Sequence, residues 1–254
     1  MRAMLLYNTS SGRGRIEGKI NDIRAVFKEA NIEIKPRKID FSKNPFDGYE
    51  DVELAVICGG DGTINYVINA MMNKGLDIAI GVIPTGTAND FASAIGMNNN
   101  VIMAARQIAH GGLRRVDCGK VNNQYFVNIL SFGVLTTTSQ HTSDKEKQIV
   151  GRLAYLRTGF VDLLNMHSMP LTIKCDGDKQ QFNAVMFLAF NGNSAGQFKL
   201  APKSNISDGM LDILILDYDN TAKTCWNMMN YIINHESGAV HHFRCRELEL
   251  NCDT

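Results

Sequence analysis

The sequence is short of the features that mark nucleic-acid binders and membrane-spanning proteins. Its 26 basic residues are matched by 26 acidic ones, so the 254-residue chain carries no formal net charge. That balance does not favour nucleic-acid binding, and only a local patch could attract an anionic membrane. No apolar run approaches the roughly 20 residues of a membrane span, and no signal peptide opens the chain. We therefore expect a cytoplasmic protein, and any contact that it makes with lipid must be peripheral.

The sequence also lacks a metal-binding pattern of cysteines, which are scattered along the chain. The chain has six cysteines and no Cys-x-x-Cys pair. This usage excludes a disulfide framework or a zinc site and predicts reduced thiols in a cytosolic protein. A hydrophobic content of 44% is that of an ordinary globular protein. The length allows one large domain or two modest ones.

The first part of the chain alternates predicted strands and helices, which is typical of a doubly wound parallel sheet. The predicted strands are residues 4–7, 32–39, 54–58 and 78–83, and the predicted helices are residues 16–30, 64–72, 91–95 and 101–110. Three of these strands end in loops that contain glycine. Because ligands bind outside the carboxyl ends of strands in such sheets, we expect the loops to converge on one ligand.

The character of the sequence changes near Gly111 and Gly112, after which short β-rich runs and turn signals predominate. Strands are predicted at residues 115–120, 125–129, 171–175, 184–190 and 211–216, with one helix at residues 153–164 after a polar run at 136–148. We predict an α/β nucleotide-binding domain over residues 1–113. A mainly antiparallel β-sandwich domain is predicted over residues 114–254.

The most informative segment is the loop Gly59-Gly60-Asp61-Gly62, which joins a predicted strand to a predicted helix. Glycines at such a junction let backbone N–H groups close around a phosphate. A carboxylate there would repel phosphate unless a divalent cation lies between them. We predict that N–H groups of Gly60, Gly62 and Thr63 bind phosphate oxygens and that Asp61 faces magnesium. A tight turn with Asp61 as a helix cap is the alternative.

A second loop, from Pro84 through Gly86 and Thr87 to Asn89 and Asp90, repeats this design. Gly86 and Thr87 are candidate phosphate contacts, and Asp90 is a candidate second carboxylate for magnesium. The alternative is a capping Asn-Asp pair, since both residue types favour helix starts. The loop at the end of the first strand also combines glycine with hydroxyl residues. Beside it, Arg13 and Arg15 either grip a terminal phosphate or form an ordinary solvated charge pair.

Two features of the second part admit more than one interpretation. Asp208-Gly209 is first of all a turn signal, and Asp208 is also a candidate ligand for a structural cation. Trp226, Met229 and Ile233 form an apolar stripe on a predicted helix. We interpret that stripe as part of the core rather than as a membrane contact.

Taken together, these motifs resemble the diacylglycerol kinase catalytic-domain family, and particularly its soluble bacterial lipid kinases. The resemblance rests on residues 8–12, 59–65, 83–91 and 202–212, which follow in order across essentially the whole chain. The glycine–aspartate loop is shared with NAD kinases and phosphofructokinases. The resemblance implies ATP as phosphoryl donor, Mg²⁺, and a lipid hydroxyl such as that of diacylglycerol as acceptor. It also implies an active site in the cleft between two domains.

Carried over residue by residue, the resemblance implies a set of site residues. It implies ATP contacts at Asn8, Thr9, Ser10, Ser11, Gly12, Gly59, Gly60, Asp61, Gly62, Thr63, Ile64, Asn65, Gly86 and Thr87. Catalytic roles are implied for Asp61, Asp90 and Arg13, and a magnesium network for Asp61, Asp90 and Asp208. A structural magnesium would use Asp208 with backbone carbonyls of Asn205 and Met210. Thr9 replaces the usual proline, and Arg13 replaces the lysine of close relatives. Arginine keeps the positive charge but makes its contact through a planar, forked guanidinium group instead of a single ammonium group.

The resemblance also implies a general base, the aspartate of an Asp-Gly-Glu motif that follows the segment matching residues 247–251. We expect that motif beyond Thr254, and therefore expect a truncated chain with very low turnover at this length. Two alternatives stay open: a kinase of a soluble acceptor such as NAD, and a non-catalytic nucleotide- or lipid-binding relative. On partners, we expect peripheral contact with a membrane lipid and no nucleic acid, and a homodimer stays open.

Overall fold

The structure is a computed structural model that describes residues 1–9, 16–133, 167–196 and 198–252. The described chain forms two compact units, Met1–Asn128 and Ile129–Thr254. The sequence predicts two domains, 1–113 and 114–254, that fold and act separately. That division of the chain stays a prediction. The predicted helix at residues 153–164 and the polar run at 136–148 lie outside the described residues.

Unit 1 is built on a four-stranded parallel sheet with the strand order β2-β1-β3-β4. Its strands are β1 (Arg2–Tyr7), β2 (Glu33–Lys38), β3 (Leu54–Gly59) and β4 (Ala79–Pro84). Its helices are a 3₁₀ turn (Glu17–Lys19), α1 (Ile20–Glu29), α2 (Asp61–Asn73), α3 (Asp90–Ala94) and α4 (Val101–His110). A hairpin of β5 (Gly119–Val121) and β6 (Gln124–Phe126) completes the unit. The predicted parallel α/β architecture is confirmed.

The core of unit 1 explains why β3 is apolar throughout. All six residues of β3 are buried, as expected for a central parallel strand that is covered on both faces. Leu54, Val56 and Cys58 pack in one cluster with residues of α1 and α4, including Phe27. Helix α2 also packs on β3, so apolar residues are needed along the whole strand. Burial of each large side chain stabilises the fold by about 1.5–3 kcal/mol.

Unit 2 contains a six-stranded antiparallel sheet around one long strand, β9 (Asp178–Phe190). The other strands are β7 (Ile129–Gly133), β8 (Met169–Cys175), β12 (Leu211–Asp217), β13 (Val240–Cys245) and β14 (Leu248–Cys252), and the order is β13-β12-β9-β8-β14. Strand β7 pairs with the second half of β9, beyond the stretch that pairs with β8. A short hairpin, β10 (Ser194–Ala195) with β11 (Phe198–Lys199), and helix α5 (Thr221–Asn234) complete the described part. The predicted antiparallel architecture is confirmed.

Two local predictions for the later part of the chain are wrong. The strand predicted at residues 115–120 reduces to β5, because residues 111–118 have no regular structure. The apolar stripe on α5 is not part of the core: Trp226, Met229 and Ile233 are all exposed. Helix α5 packs through a different face, which includes the buried residues Thr224 and Tyr231. Helical spacing identified one face of α5, but spacing alone could not show which face meets the sheet.

Candidate active site

Strands β1, β3 and β4 end at one edge of the parallel sheet in unit 1. In the sheet register Tyr7 lies opposite Cys58, and Gly59 lies opposite Pro84, so the three strands end side by side. The backbone N–H of Asn8 donates to the carbonyl of Cys58 at 3.3 Å. That of Thr85 donates to the carbonyl of Gly59 at 3.0 Å. The strand ends that carry the three loops therefore lie side by side within this unit, and their convergence on one ligand stays a prediction.

Gly60 and Gly86 bring two of these loops into direct backbone contact. A Cβ added to Gly86 would lie 2.5 Å from the Cα of Gly60 and 2.8 Å from Oδ1 of Asn89. A Cβ added to Gly60 would lie 3.0 Å from the Cα of Gly86. No side chain larger than hydrogen fits at this contact unless the loops separate. The close approach leaves backbone N–H groups at a helix N-terminus, the arrangement that suits a phosphate.

Asn89 holds the second loop closed with its side chain. The N–H of Gly86 donates to Oδ1 of Asn89 at 2.8 Å, and Nδ2 of Asn89 donates to the carbonyl of Gly86 at 2.9 Å. Asn89 precedes α3 in the left-handed conformation, with φ of 54°, and its side chain forms no capping hydrogen bond to that helix. Asparagine is one of the few residues with a side chain that adopts this backbone conformation readily. The capping role considered for Asn89 is therefore replaced by a clamp on Gly86.

Asp61 opens α2 and reaches across to the start of α3. Its Oδ1 accepts a hydrogen bond from the N–H of Phe91 at 2.9 Å. Burial raises the pKa of Asp61 above its ordinary value, and the nearby charge of Asp90 raises it further, against the lowering effect of the Phe91 hydrogen bond. Asp90 is itself buried. Among the described residues, no lysine, arginine or histidine forms an ion pair with Asp61, so a bound cation would relieve this repulsion.

Thr63 and Asn8 link the first two loops. Nδ2 of Asn8 donates to Oγ1 of Thr63 at 3.3 Å. Thr63 is buried, and its side chain fills the space where a Cβ on Gly59 would lie, 2.5 Å from Cβ of Thr63. The hydroxyl of Thr63 thus serves the loop structure, and its backbone N–H is the group that remains a candidate phosphate contact.

Asp208 in unit 2 lies in a network of side chains from β12 and β13. Its Oδ1 accepts from the N–H of Met210 at 3.1 Å, and its Oδ2 forms an ion pair with Arg244. Arg244 Nε also lies 3.5 Å from Oδ1 of Asp212, and Nε2 of His242 lies 2.8 Å from the same atom. Burial acts to raise the pKa of Asp212, but the His242 hydrogen bond and the Arg244 charge hold it below its ordinary value.

The donor set of the described residues limits the kind of metal that they could hold. Among residues 1–9, 16–133, 167–196 and 198–252, no group of three His, Cys, Asp or Glu side chains is placed to hold a metal. A cation at Asp61 and Asp90 would therefore take its other ligands from water, backbone or phosphate oxygens. Two carboxylates completed by phosphate and water suit Mg²⁺. The residues present thus fit a metal that is bound together with a nucleotide.

Comparison with known proteins identifies the domain in each part of the chain. Residues 2–121 match the diacylglycerol kinase catalytic domain, and residues 128–254 match the YegS C-terminal NAD kinase beta sandwich-like domain. The diacylglycerol kinase of Bacillus subtilis (strain 168) is 34% identical over 87% of this chain and 76% of its own length. The chain belongs to the diacylglycerol kinase family. It is an ATP-dependent lipid kinase, a phosphotransferase.

Further relatives agree with this assignment. A diacylglycerol kinase of Staphylococcus aureus (strain bovine RF122 / ET3-1) is 34% identical over 87% of this chain and 72% of its own length. The crystal structure of a diacylglycerol kinase from Bacillus anthracis str. Sterne superposes with a TM-score of 0.81 at 22% identity. That superposition covers 100% of this chain and 86% of the other, and it supports the fold alone. No helix among the described residues is long and apolar enough to cross a membrane.

The structure of this diacylglycerol kinase family member brings only part of the predicted site together. Asn8, Gly59, Gly60, Asp61, Thr63, Gly86 and Asp90 lie at one sheet edge in unit 1. Ile64 is fully buried, so only its backbone could contact a nucleotide, and the carbonyl of Asn65 accepts from Asn69. Ser10, Ser11, Gly12 and Arg13 lie outside the described residues. The roles of Thr9, Gly62 and Thr87, and the cation site at Asp208 with Asn205 and Met210, stay predictions.

Sequence reasoning missed Asn69, which ties α2 to the β5–β6 hairpin. The N–H of Tyr125 donates to Oδ1 of Asn69 at 2.8 Å, and Nδ2 of Asn69 donates to the carbonyl of Tyr125 at 2.7 Å. The side-chain amide of Asn69 thus makes the two backbone hydrogen bonds that a further neighbouring strand would make with Tyr125. The available signal was weak: asparagine in the middle of a helix is a poor helix former, and therefore hints at a side-chain role.

Proposed function

We propose that this family member transfers the γ-phosphate of ATP to the hydroxyl of diacylglycerol and forms phosphatidate, with Mg²⁺ as the divalent ion. The observation that carries the proposal is the pair Asp61 and Asp90 beside the Gly60–Gly86 contact. Two interacting carboxylates, one with a raised pKa, lie where backbone N–H groups suit a phosphate. Phosphoryl transfer depends mostly on positioning and charge stabilisation, which is what such a site provides.

Each part of the site has a distinct task in this proposal. The N–H groups of Gly60, Gly62 and Thr63 bind phosphate oxygens at the start of α2, where the helix dipole favours negative charge. Asp61 and Asp90 hold the cation, which when bound neutralises the charge that develops on the transferred group. Asn89 keeps Gly86 against Gly60, and the hydrogen bond from Phe91 keeps the carboxylate of Asp61 aimed at the site.

The transfer itself breaks one P–O bond and forms another. The bond between the γ-phosphorus and the oxygen that bridges it to the β-phosphate breaks, and ADP leaves with that electron pair. The lipid hydroxyl oxygen bonds to the same phosphorus, and its proton passes to a general base or to solvent water. Because the acceptor is a membrane lipid, we further propose that the protein meets the bilayer as a peripheral protein.

The test is phosphate transfer by purified protein from γ-labelled ATP with Mg²⁺. Acceptors are diacylglycerol in phosphatidylcholine vesicles, NAD in solution, and vesicles without diacylglycerol. We expect labelled phosphatidate in the first reaction only, and none when the metal is chelated. Label transferred to NAD but not to lipid would contradict the proposed acceptor.

The metal role has a readout that does not depend on turnover. Calorimetric titration with ATP, with and without Mg²⁺, should show that Mg²⁺ strengthens binding to the native protein. The Asp61→Asn protein should bind ATP with little dependence on Mg²⁺. An unchanged Mg²⁺ dependence in this variant would remove Asp61 from the metal site.

A further inference from the structure

Helix α5 carries a continuous apolar face that points away from the protein. Ala222, Trp226, Met229 and Ile233 follow one another at spacings of four, three and four residues, so they align on one side of the helix. Trp226 is 71% exposed, Met229 is 52% exposed and Ile233 is 68% exposed. We call these four residues the α5 stripe.

The α5 stripe is not needed to hold the helix in place. On the opposite side Thr224 is fully buried, and the hydroxyl of Tyr231 donates to the carbonyl of Leu200 at 2.9 Å. Cys225 and Met228 pack with Val185 and Leu216 of the sheet. The inner face therefore anchors α5 to unit 2, and the stripe lies on a helix that is already fixed.

The charge of α5 is unusual for a surface helix. Its 14 residues include no aspartate or glutamate, and Lys223 is their only charged residue. Lys223 forms an ion pair with Asp219, which lies outside the helix. The exposed side of a surface helix normally carries charged residues of both signs. An outer face of tryptophan, methionine and isoleucine, bordered by asparagine, is instead suited to the boundary between water and lipid.

The other exposed large hydrophobic residues in the described part of the chain do not share a helix face, because only Met103 among them lies on a helix. Phe41 packs against the ring of Tyr66, and Tyr49 lies under the guanidinium of Arg37. Met103 is on α4, and Leu113 lies in the segment that follows α4. Single exposed apolar side chains are normal on a protein surface, whereas three on one helix face indicate a contact surface.

We propose that the α5 stripe docks on the bilayer that carries the lipid acceptor, with α5 parallel to the membrane surface. This inference rests on the proposed function, because a long-chain diacylglycerol substrate is held within a lipid phase. Three large apolar side chains without a basic cluster give weak binding that does not depend on anionic lipid. Weak and reversible docking suits an enzyme that must exchange ATP and ADP with the solvent.

Trp226 offers a direct test, because it is the only tryptophan of the chain. Its fluorescence should shift to the blue when vesicles of phosphatidylcholine are added, with or without diacylglycerol, and the shift should survive high salt. A spectrum that vesicles leave unchanged overturns the proposal. A shift that high salt abolishes also overturns it, because the contact would then be electrostatic.

A pair of matched variants isolates the α5 stripe. Met229→Ser with Ile233→Ser retains the tryptophan reporter and should weaken vesicle binding by about tenfold or more, the size expected for two partly buried apolar side chains. The control is Met103→Ser with Leu113→Ser, since these side chains are 50% and 87% exposed in unit 1. The control should bind vesicles like the native protein. Equal vesicle binding by both double variants contradicts the proposal.

Two further measurements distinguish docking on lipid from self-association and from a general loss of catalysis. Sedimentation velocity without lipid tests for a second copy on the stripe: loss of a dimer in the stripe variant, with vesicle binding unchanged, overturns the proposal. Kinase assays compare vesicle-borne diacylglycerol with a short-chain, water-soluble diacylglycerol. If docking is correct, the stripe variant loses activity on vesicles and keeps it on the soluble acceptor. Absence of product from both acceptors with the native protein contradicts the proposed function, while the fluorescence result still decides the docking.

Discussion

The two units of the chain differ in how the charge of a buried carboxylate is compensated. In unit 1, burial and the charge of Asp90 raise the pKa of Asp61, and no described basic side chain forms an ion pair with it. In unit 2, the Asp212 side chain is completely buried, yet His242 and Arg244 hold its pKa below the ordinary value. Unit 1 thus keeps an unfavourable charge that a ligand would relieve, whereas in unit 2 His242 and Arg244 offset the charge of Asp212 through its Oδ1 atom.

The largest effect that would test this comparison is loss of activity in Asp61→Asn. The change preserves shape and the hydrogen bond from Phe91 but removes the charge that we assign to the cation. We expect kinase activity to fall by about 100-fold or more, the cost typical of losing one transition-state charge contact. In the absence of metal and nucleotide, the variant should be more stable than the native protein by about 0.5–2 kcal/mol. Urea unfolding measures the second quantity.

The control for Asp61→Asn is Asp77→Asn, an exposed aspartate of the same unit. Its activity and unfolding midpoint should stay at native values. A destabilised Asp61→Asn protein would show that the charge of Asp61 supports the fold, and the contrast between the units would then fail.

The matching substitution in unit 2, Asp212→Asn, should have the opposite effect on stability. It leaves His242 and Arg244 beside a neutral group, and removal of one partner from a buried charge pair is destabilising. We expect a loss of about 2–3 kcal/mol, somewhat below the 3–5 kcal/mol of fully buried pairs because Arg244 is partly hydrated. Urea unfolding measures it, with the exposed Asp178→Asn as control. A neutral or stabilising result would remove the distinction between the units.

Gly86→Ala tests the geometry of unit 1 rather than its charge. The added Cβ would lie 2.5 Å from the Cα of Gly60, so the loops must separate. We expect a stability loss of about 1–3 kcal/mol, as for overpacking elsewhere, together with weaker ATP binding. Gly18→Ala is the control, since nothing lies within 4 Å of its Cβ position. Native ATP affinity in Gly86→Ala would show that the close contact does not shape the phosphate site.

The smallest effect is a difference in how the two Asn variants respond to pH. The folded-state pKa of Asp212 is lowered, so its stabilising contribution is present above the ordinary value of 3.8 and is lost as the pH falls through the folded value. The folded-state pKa of Asp61 is raised, so its destabilising contribution is absent below 3.8 and grows as the pH rises from there to the folded value. Urea unfolding from acid to neutral pH should therefore show both variants approaching native stability in acid. If a variant still differed from the native protein in free energy of unfolding at acid pH, the cause would be changed packing rather than the lost charge.

Much of the fold could be predicted from local patterns. Apolar runs bounded by glycine predicted β1, β3 and β4, because a parallel strand covered on both faces must be apolar throughout. The strands predicted at residues 171–175 and 184–190 lie within β8 and β9, since β-branched and aromatic residues favour strands. The α5 stripe was assigned wrongly. Its periodicity is the same whether the apolar side faces the core or the solvent, so only packing could decide.

The candidate site could likewise be predicted only in part from the sequence. The glycine loops and their carboxylates were visible as motifs, because glycine and aspartate each have a distinct chemical use there. The clamp of Asn89 on Gly86 and the bond from Phe91 to Asp61 join residues whose partners no spacing rule specifies. The Asp212–His242 contact joins residues 30 positions apart in sequence, so it also depends on strand pairing.

The sequence by itself determined the alternation of elements in unit 1, the position of the glycine loops and the family, because these depend on residue type and local spacing. Only the tertiary structure decided which carboxylates are compensated and which are not. It also decided that the apolar stripe of α5 faces outward. Burial, ion pairing and exposure depend on what other elements bring next to a residue, and the chain order does not specify those neighbours.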